Sequence, residues 1–276
     1  MNKKISLVGK IGSMALIRRE DSDIDYNIFS RLGAELKPGM IWVSSGATEI
    51  GRLDYMKRNN GRELEGGADE VKTDYAAQGQ NILMENYRRF ISPEYSVRQL
   101  LVEHTHFNSR QTREYVKNML LRCADQNAIP IVNYNDPVSF EEHRKMELMQ
   151  LRDMGSSNVV ECVDNDETAA VIADLVEAET LVIMTSADGI YTDPNDPSTI
   201  VREVCASDAE DMERKIRQLQ QFCSGASRAG ANGAKAKLEY ILPCAKAGTT
   251  VIIGHARHRL SQLVAGTVPC TRFYLK

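Results

Sequence analysis

The six cysteines of this 276-residue chain (Cys123, Cys162, Cys205, Cys223, Cys244 and Cys270) include no Cys-x-x-Cys pair. That scatter excludes the usual zinc sites and a disulfide framework, and it reads as buried, reduced thiols of a cytoplasmic protein. The five histidines show no metal-ligand spacing, and His-Glu-x-x-His is absent. No apolar run approaches the roughly 20 residues needed to cross a bilayer. The N-terminus carries Lys3 and Lys4 with no long apolar stretch behind them, so no secretory signal is expected. The net charge of −4 removes any electrostatic case for non-specific nucleic-acid binding. Gly-x-x-x-x-Gly-Lys-Ser/Thr is missing, which excludes a P-loop. So is Gly-x-Gly-x-x-Gly after the first apolar run, and with it a dinucleotide site. Gly-x-Ser-x-Gly is missing too.

What is present suits a soluble globular enzyme: 42% hydrophobic and 26% charged residues. Short apolar runs at Ile5–Val8, Met40–Val43, Val97–Val102, Ile129–Val132, Leu181–Met184 and Val251–Ile253 read as buried strands. Amphipathic segments near 23–36, 70–91, 110–127, 166–178, 208–222 and 235–247 alternate with them. The alternation predicts an α/β fold with a mainly parallel sheet covered on both faces, a three-layer αβα sandwich. Arg58–Asp69 reads as a mobile loop and Glu141–Arg152 as a short helix within the charged stretch 139–158. Nothing divides the chain, so one domain over 1–276 is expected, with lobes of about 1–160 and 161–276.

Ligands of such sheets bind at the carboxyl ends of strands, so the segments that follow each strand are the places to search. Gly9-Lys10-Ile11-Gly12-Ser13 can set an ammonium against a phosphate, although a solvated turn lysine fits equally. Ser44-Ser45-Gly46-Ala47-Thr48 would open a helix whose free N–H groups face an anion, or would simply cap it. Asn133-Tyr134-Asn135-Asp136-Pro137 could grip an amine or hydroxyl, or form an ordinary turn. Asp164-Asn165-Asp166 precedes a helix and fits an N-cap. The strand after it ends in Thr185-Ser186-Ala187-Asp188-Gly189-Ile190-Tyr191-Thr192-Asp193-Pro194, a long and particular run. Finally, Gly230-Ala231-Asn232-Gly233-Ala234-Lys235-Ala236-Lys237 puts cations at a helix N-terminus. There they oppose the helix dipole unless an anion, such as a polyphosphate, lies between them.

Taken in order, these segments resemble the amino-acid kinase family, and within it the glutamate 5-kinase branch. The resemblance covers nearly the whole chain and is strongest over 127–136 and 163–194. It implies a carbamate-kinase-like fold and transfer of the γ-phosphoryl group of ATP, as its magnesium complex, to a small acceptor. In that branch the acceptor is the γ-carboxylate of glutamate, and the product enters proline synthesis. By resemblance Lys10, Asp166 and Lys237 are catalytic. Ser45, Gly46, Ala47, Asp136 and Asn165 bind the acceptor. Lys10, Gly12, Thr185, Ser186, Gly189, Tyr191, Asp193, Pro194, Ala231, Asn232, Gly233, Lys235 and Lys237 bind ATP. Magnesium is held mainly by the ATP phosphates rather than by dedicated protein ligands. A homo-oligomer is implied, and neither nucleic acid nor membrane is expected as a partner.

The chain departs from the branch at Tyr134, Ser186, Asn232-Gly233 and Val163, and in the long segment 139–160. It lacks the RNA-binding-like C-terminal domain found in many members of the branch. Pro243 is expected to kink the helix after Lys237. Two alternatives follow. One is a uridylate-kinase-like enzyme with a phosphorylated acceptor, for which Arg52, Arg144, Lys145 and Arg152 are the candidate extra cations. The other is a non-catalytic nucleotide-binding sensor or storage protein.

Overall fold

The computed structural model describes residues 4–18, 20–139, 141–153, 159–162, 164–223 and 233–276, leaving aside the side chains of residues 141 and 142. In chain order come β1 (Leu7–Ile11), a ribbon of β2 (Ile17–Arg18) and β3 (Asp23–Ile24), α1 (Tyr26–Glu35), β4 (Met40–Ser44), α2 (Ala47–Arg58) and α3 (Ala68–Phe90). Then follow β5 (Ser96–Val102), α4 (His104–Asn108), α5 (Arg110–Asp125), β6 (Ala128–Tyr134), α6 (Glu141–Asp153) and α7 (Asn165–Leu175). After β7 (Thr180–Thr185) come a ribbon of β8 (Ile190–Tyr191) and β9 (Ile200–Val201), then β10 (Glu203–Ala206) and α8 (Ala209–Gln220). The last elements are α9 (Gly233–Lys246), β11 (Thr250–His255), α10 (Leu260–Ala265) and β12 (Cys270–Leu275).

Eight strands form one sheet in the order β10-β12-β11-β7-β1-β4-β6-β5. All neighbours are parallel except β11 and β12. Every residue of β1 and β6 is buried, as parallel strands sandwiched between helices must be. Alternate strand residues enter two apolar layers. Val8, Val43, Ile183 and Ile253 face α5, α7, α8 and α9. Leu7, Ile11, Trp42, Val182 and Ile252 face α1, α2, α3 and α10. This is the three-layer αβα sandwich expected from the sequence.

Several boundaries differ from the sequence reading. The first strand starts later than Ile5 and continues through Lys10 to Ile11, because its register with β4 and β7 runs to Ser44 and Met184. Helix α1 begins at Tyr26 rather than near 23, because residues 23–24 pair with Ile17–Arg18. The strands β10 and β12 had not been read from the sequence. The predicted loop after α2 is present, and Leu64 N–H donates to Tyr75 Oη at 2.6 Å to hold it on α3. Helix α6 spans almost the predicted Glu141–Arg152. Helical structure continues past Pro243, to Lys246.

Three glycines set close approaches that position the site. A Cβ on Gly9 would lie 2.1 Å from the Trp42 ring, which fills that space and donates to Tyr87 Oη at 2.9 Å. Where α2 crosses α3, a Cβ on Gly51 would fall 1.8 Å from the Tyr75 carbonyl oxygen, and one on Gly79 1.8 Å from that of Ala47. Backbone meets backbone there, so α2 sits where only two glycines allow it.

Candidate active site

The strand order reverses beside β1: β4, β6 and β5 extend to one side, and β7, β11, β12 and β10 to the other. Open parallel sheets bind ligands at such a point, outside the carboxyl ends of the strands. Lys10 lies one residue from that end of β1. Leu7, Gly9 and Ile11 turn toward the α1–α3 face, so alternation sends Lys10 to the opposite face, beneath α7. Helix α7 starts at Asn165, one residue before the segment near 166–178 read from the sequence. Asp164 caps it, accepting from the N–H groups of Asp166 at 2.8 Å and Glu167 at 3.1 Å. The capping reading of Asp164 was therefore right, and the cap places Asp166 in the first turn. Its Oδ1 lies 2.6 Å from Lys10 Nζ and its Oδ2 lies 2.6 Å from Lys237 Nζ, with the Asp166 side chain only 3% exposed. Lys237 comes from the second turn of α9, which packs along α7.

Burial alone would raise the Asp166 carboxyl, but the two ammonium groups outweigh it and hold it below the usual carboxylate range. Asp164 moves the other way, raised by burial and by the charge of Asp166. Within the trio two cations share one carboxylate, next to the N-terminus of α7, with the capping Asp164 as the further charge nearby. That is a place for an anion, and an oxygen-rich one.

Next to this bracket lies a cavity of about 250 Å³ lined by Ser13, Ser45–Glu49, Lys72, Asn133, Tyr134, Asp136, Arg144, Cys162, Asp164 and Asn165. Asn165, the chain neighbour of Asp166, connects the two. Its Nδ2 donates to Ser45 Oγ at 3.0 Å and to Asn133 Oδ1 at 2.9 Å. Its buried Oδ1 has no partner among the described residues. Helix α2 opens at the cavity. Its N-cap, Gly46, has φ 110° and no side-chain cap, so its first N–H groups lack side-chain acceptors. Lys72 reaches Asp136 at 3.5 Å. Burial nevertheless raises the Asp136 carboxyl, against the pull of Lys72 and Arg144.

On the β7 side, Gly12 N–H donates to Met184 O at 3.3 Å, so Gly12 lies beside the strand end that carries Thr185 and Ser186. Gly189 has a packing reason as well: a Cβ there would be 2.4 Å from Thr271 Oγ1, which accepts from Ile190 N–H. Tyr191 ends β8 in the β8–β9 ribbon, and the exposed Asp193 orders its own loop by accepting from Asn195 N–H at 2.9 Å. Pro194 is exposed in the same loop. Ala231 and Asn232 lie outside the described residues. Gly233 opens α9, Lys235 is exposed and Lys237 points at Asp166.

The structure thus brings Lys10, Asp166 and Lys237 together, and gathers Ser45, Gly46, Ala47, Asp136 and Asn165 around one cavity. Of the four extra cations considered from the sequence, only Arg144 lines it. Arg52 pairs with Glu49 and Glu63, and Arg152 with Glu161. Lys72 and Gln80 had not been singled out. Gln80 Oε1 accepts from Asn133 Nδ2 at 2.9 Å. A signal existed for Gln80, which lies on the stripe 76, 80, 83, 87 that α3 buries, but none for the exposed Lys72.

Comparisons with known proteins bear on the family and the fold. The model of the Amino acid kinase family matches residues 7–255. A glutamate 5-kinase of Dehalococcoides mccartyi (strain CBDB1) is 30% identical over 271 residues, covering 97% of this chain and 65% of the relative. One from Laribacter hongkongensis is 29% identical over 275 residues, covering 94% of this chain and 65% of its own length. The chain therefore spans just under two thirds of the length of these relatives. Among solved structures, carbamate kinase from Giardia lamblia bound to AMP-PNP aligns over all of both chains with a TM-score of 0.60 at 14% identity. UMP kinase from Ureaplasma parvum aligns over 99% of each chain with a TM-score of 0.55 at 12% identity. These two share the fold.

Proposed function

This chain belongs to the amino acid kinase family, and from that premise we propose that it transfers the γ-phosphoryl group of ATP to the carboxylate of a small amino acid, as the glutamate 5-kinases it resembles are named for doing. The observation that carries the reading is the Lys10–Asp166–Lys237 bracket, joined through Asn165 to a cavity of about 250 Å³. Sites for drug-sized ligands run from about 300 to 1,000 Å³, so the cavity suits a small metabolite.

Phosphoryl transfer needs positioning and charge neutralisation more than covalent help. A carboxylate oxygen of the acceptor attacks the γ-phosphorus in line, and the bond to the β,γ-bridging oxygen breaks to release ADP. The acceptor is already ionised at pH 7, so no general base is required. Lys10 and Lys237 neutralise the oxygens of the moving group, and Asp166 keeps both ammonium groups in place between turnovers. The N-terminus of α2 at Gly46 and Ala47, together with the Ser45 hydroxyl, holds the acceptor anion, and the free Asn165 Oδ1 accepts from a donor group of the acceptor. Asp136 takes its amino group. The nucleotide lies over Gly12, Thr185, Ser186 and the start of α9. In this assignment residues of about 1–160 serve mainly the acceptor and those of about 161–276 mainly the nucleotide, with Asn165 and Gly12 crossing over. Both Asp166 oxygens face ammonium groups, and no cluster of three acid, His or Cys side chains among the described residues could hold a metal. Magnesium would be held by the ATP phosphates and would supply charge screening on the leaving group.

The test is an ADP-release screen with magnesium ATP against amino acids, nucleoside monophosphates and other small acids. Turnover with L-glutamate or a related amino acid is expected. Turnover with UMP alone would overturn the acceptor, and ATP binding without turnover on any acid would overturn the enzyme reading.

A further inference from the structure

The lining of the acceptor cavity contains more charge than one carboxylate needs. Lys72 is offset by Asp136 at 3.5 Å, and Glu49 by Arg52 at 3.1 Å. Asp164 is spent on capping α7. Arg144 is different. It is half-buried, lines the cavity, and rests with its guanidinium carbon 5.7 Å from the centroid of the Tyr134 ring. No carboxylate among the described residues pairs with it. Part of its N–H edge engages the Tyr134 hydroxyl, and the N–H groups left over can take a planar anion.

The position of Arg144 is built. Tyr134, the platform, is buried and hydrogen-bonds Ser139 Oγ at 2.9 Å. Helix α6, which carries Arg144, is fastened one turn further on. There Glu147 Oε2 lies 3.0 Å from Nε2 of the buried His104, and the neighbouring Leu148 is buried. Arg144 is thus a fixed wall of the cavity. At the Asp166 end the anion-holding groups are the opening of α2 and the Ser45 hydroxyl. Arg144 belongs to a separate element, so it calls for a second anionic group on the same ligand.

We propose that Arg144 is a specificity-determining residue that selects acceptors with a second carboxylate, so that the substrate class is small dicarboxylic acids, one carboxylate being phosphorylated and the other held by this guanidinium. The inference rests on the reading above that the cavity receives the acceptor.

The experiment compares wild type, R144A, R144Q and R144K with paired probes that differ by one carboxylate: L-glutamate against 4-aminobutyrate, and glutarate against butyrate. Turnover is read with magnesium ATP, and affinity separately by calorimetry without ATP. The neutral variants should lower kcat/KM and affinity for L-glutamate and glutarate by about 10- to 100-fold, the range of a lost charged hydrogen bond. They should leave 4-aminobutyrate and butyrate unchanged, and R144K should recover part of the loss. Equal wild-type affinity within each pair, or a ratio that the variants leave unchanged, would overturn the inference whatever the turnover. A wild-type preference for UMP that R144A abolishes would overturn the dicarboxylate class. A dicarboxylate preference that collapses in R144A, with no turnover of any acid, would uphold the role of Arg144 and overturn the proposed reaction instead.

Discussion

Asp166 holds two lysines on opposite oxygens while 3% exposed, so each member of the trio depends on the others. Lys10→Ala and Lys237→Ala each remove a transition-state donor and Asp166→Ala releases both, so each should reduce kcat at least about a hundredfold. Near-normal turnover in any of the three would sink the mechanism. Asp166→Asn also breaks a buried pair and should cost about 3–5 kcal/mol in urea unfolding at pH 7. The sign with pH follows from the lowered carboxyl. Its stabilisation is complete above the unfolded value, about 3.9, and fades only as pH falls through the lower folded value. The gap between wild type and Asp166→Asn should therefore persist at pH 5 and narrow below about pH 4; a gap that closes by pH 6 would contradict the pairing. Asp136 has the opposite sign, because burial raises it. The folded protein holds that proton more tightly, so stability falls as pH rises through the interval between the two values. Asp136→Asn should melt at or above the wild-type temperature at pH 7 while KM for the acceptor rises. A large drop in melting temperature would show that the Lys72 pair outweighs desolvation.

Helix α2 brings its uncapped N-terminus to the cavity because Gly51 and Gly79 let it touch α3. Gly51→Ala or Gly79→Ala forces backbone apart and should cost about 1–3 kcal/mol or more, the range for overpacking. If α2 holds the acceptor, KM for the acceptor should rise more than KM for ATP in whichever variant still folds. Equal rises would remove α2 from acceptor binding. The same scale explains the shifted boundaries. Ile5 is apolar and buried, so its pattern extends the strand, but the hydrogen-bonded register with β4 and β7 begins only at Leu7. Local periodicity reports burial, and pairing decides where a strand begins.

The cavity, the bracket and the proposed nucleotide side meet where the sheet reverses its order, so binding at one should be felt across the fold. Magnesium ATP at about 100 times its dissociation constant should add about 2.7 kcal/mol to stability. That corresponds to a rise in melting temperature of at least several degrees. No shift at millimolar ATP would argue against a nucleotide site. The two apolar layers on either face of the sheet include strands from both halves of the chain, which ties the halves into one sandwich.

By itself the sequence determined the alternation of buried strands and amphipathic helices, and hence the parallel sandwich. Those are local patterns: a period of two or of 3.6 residues is written into the chain whatever its partners. It also carried the ordered motifs, which placed Lys10, Asp166 and Lys237 on a single list of suspects. Only the tertiary structure decided that two lysines from opposite ends of the chain close on the two oxygens of one carboxylate. That depends on strand order and on which face of β1 lies beneath α7. The same holds for Arg144 and Lys72. As sequence they are charged residues on helices, indistinguishable from solvated ones. The packing of α3 and α6 turns them into a cavity wall.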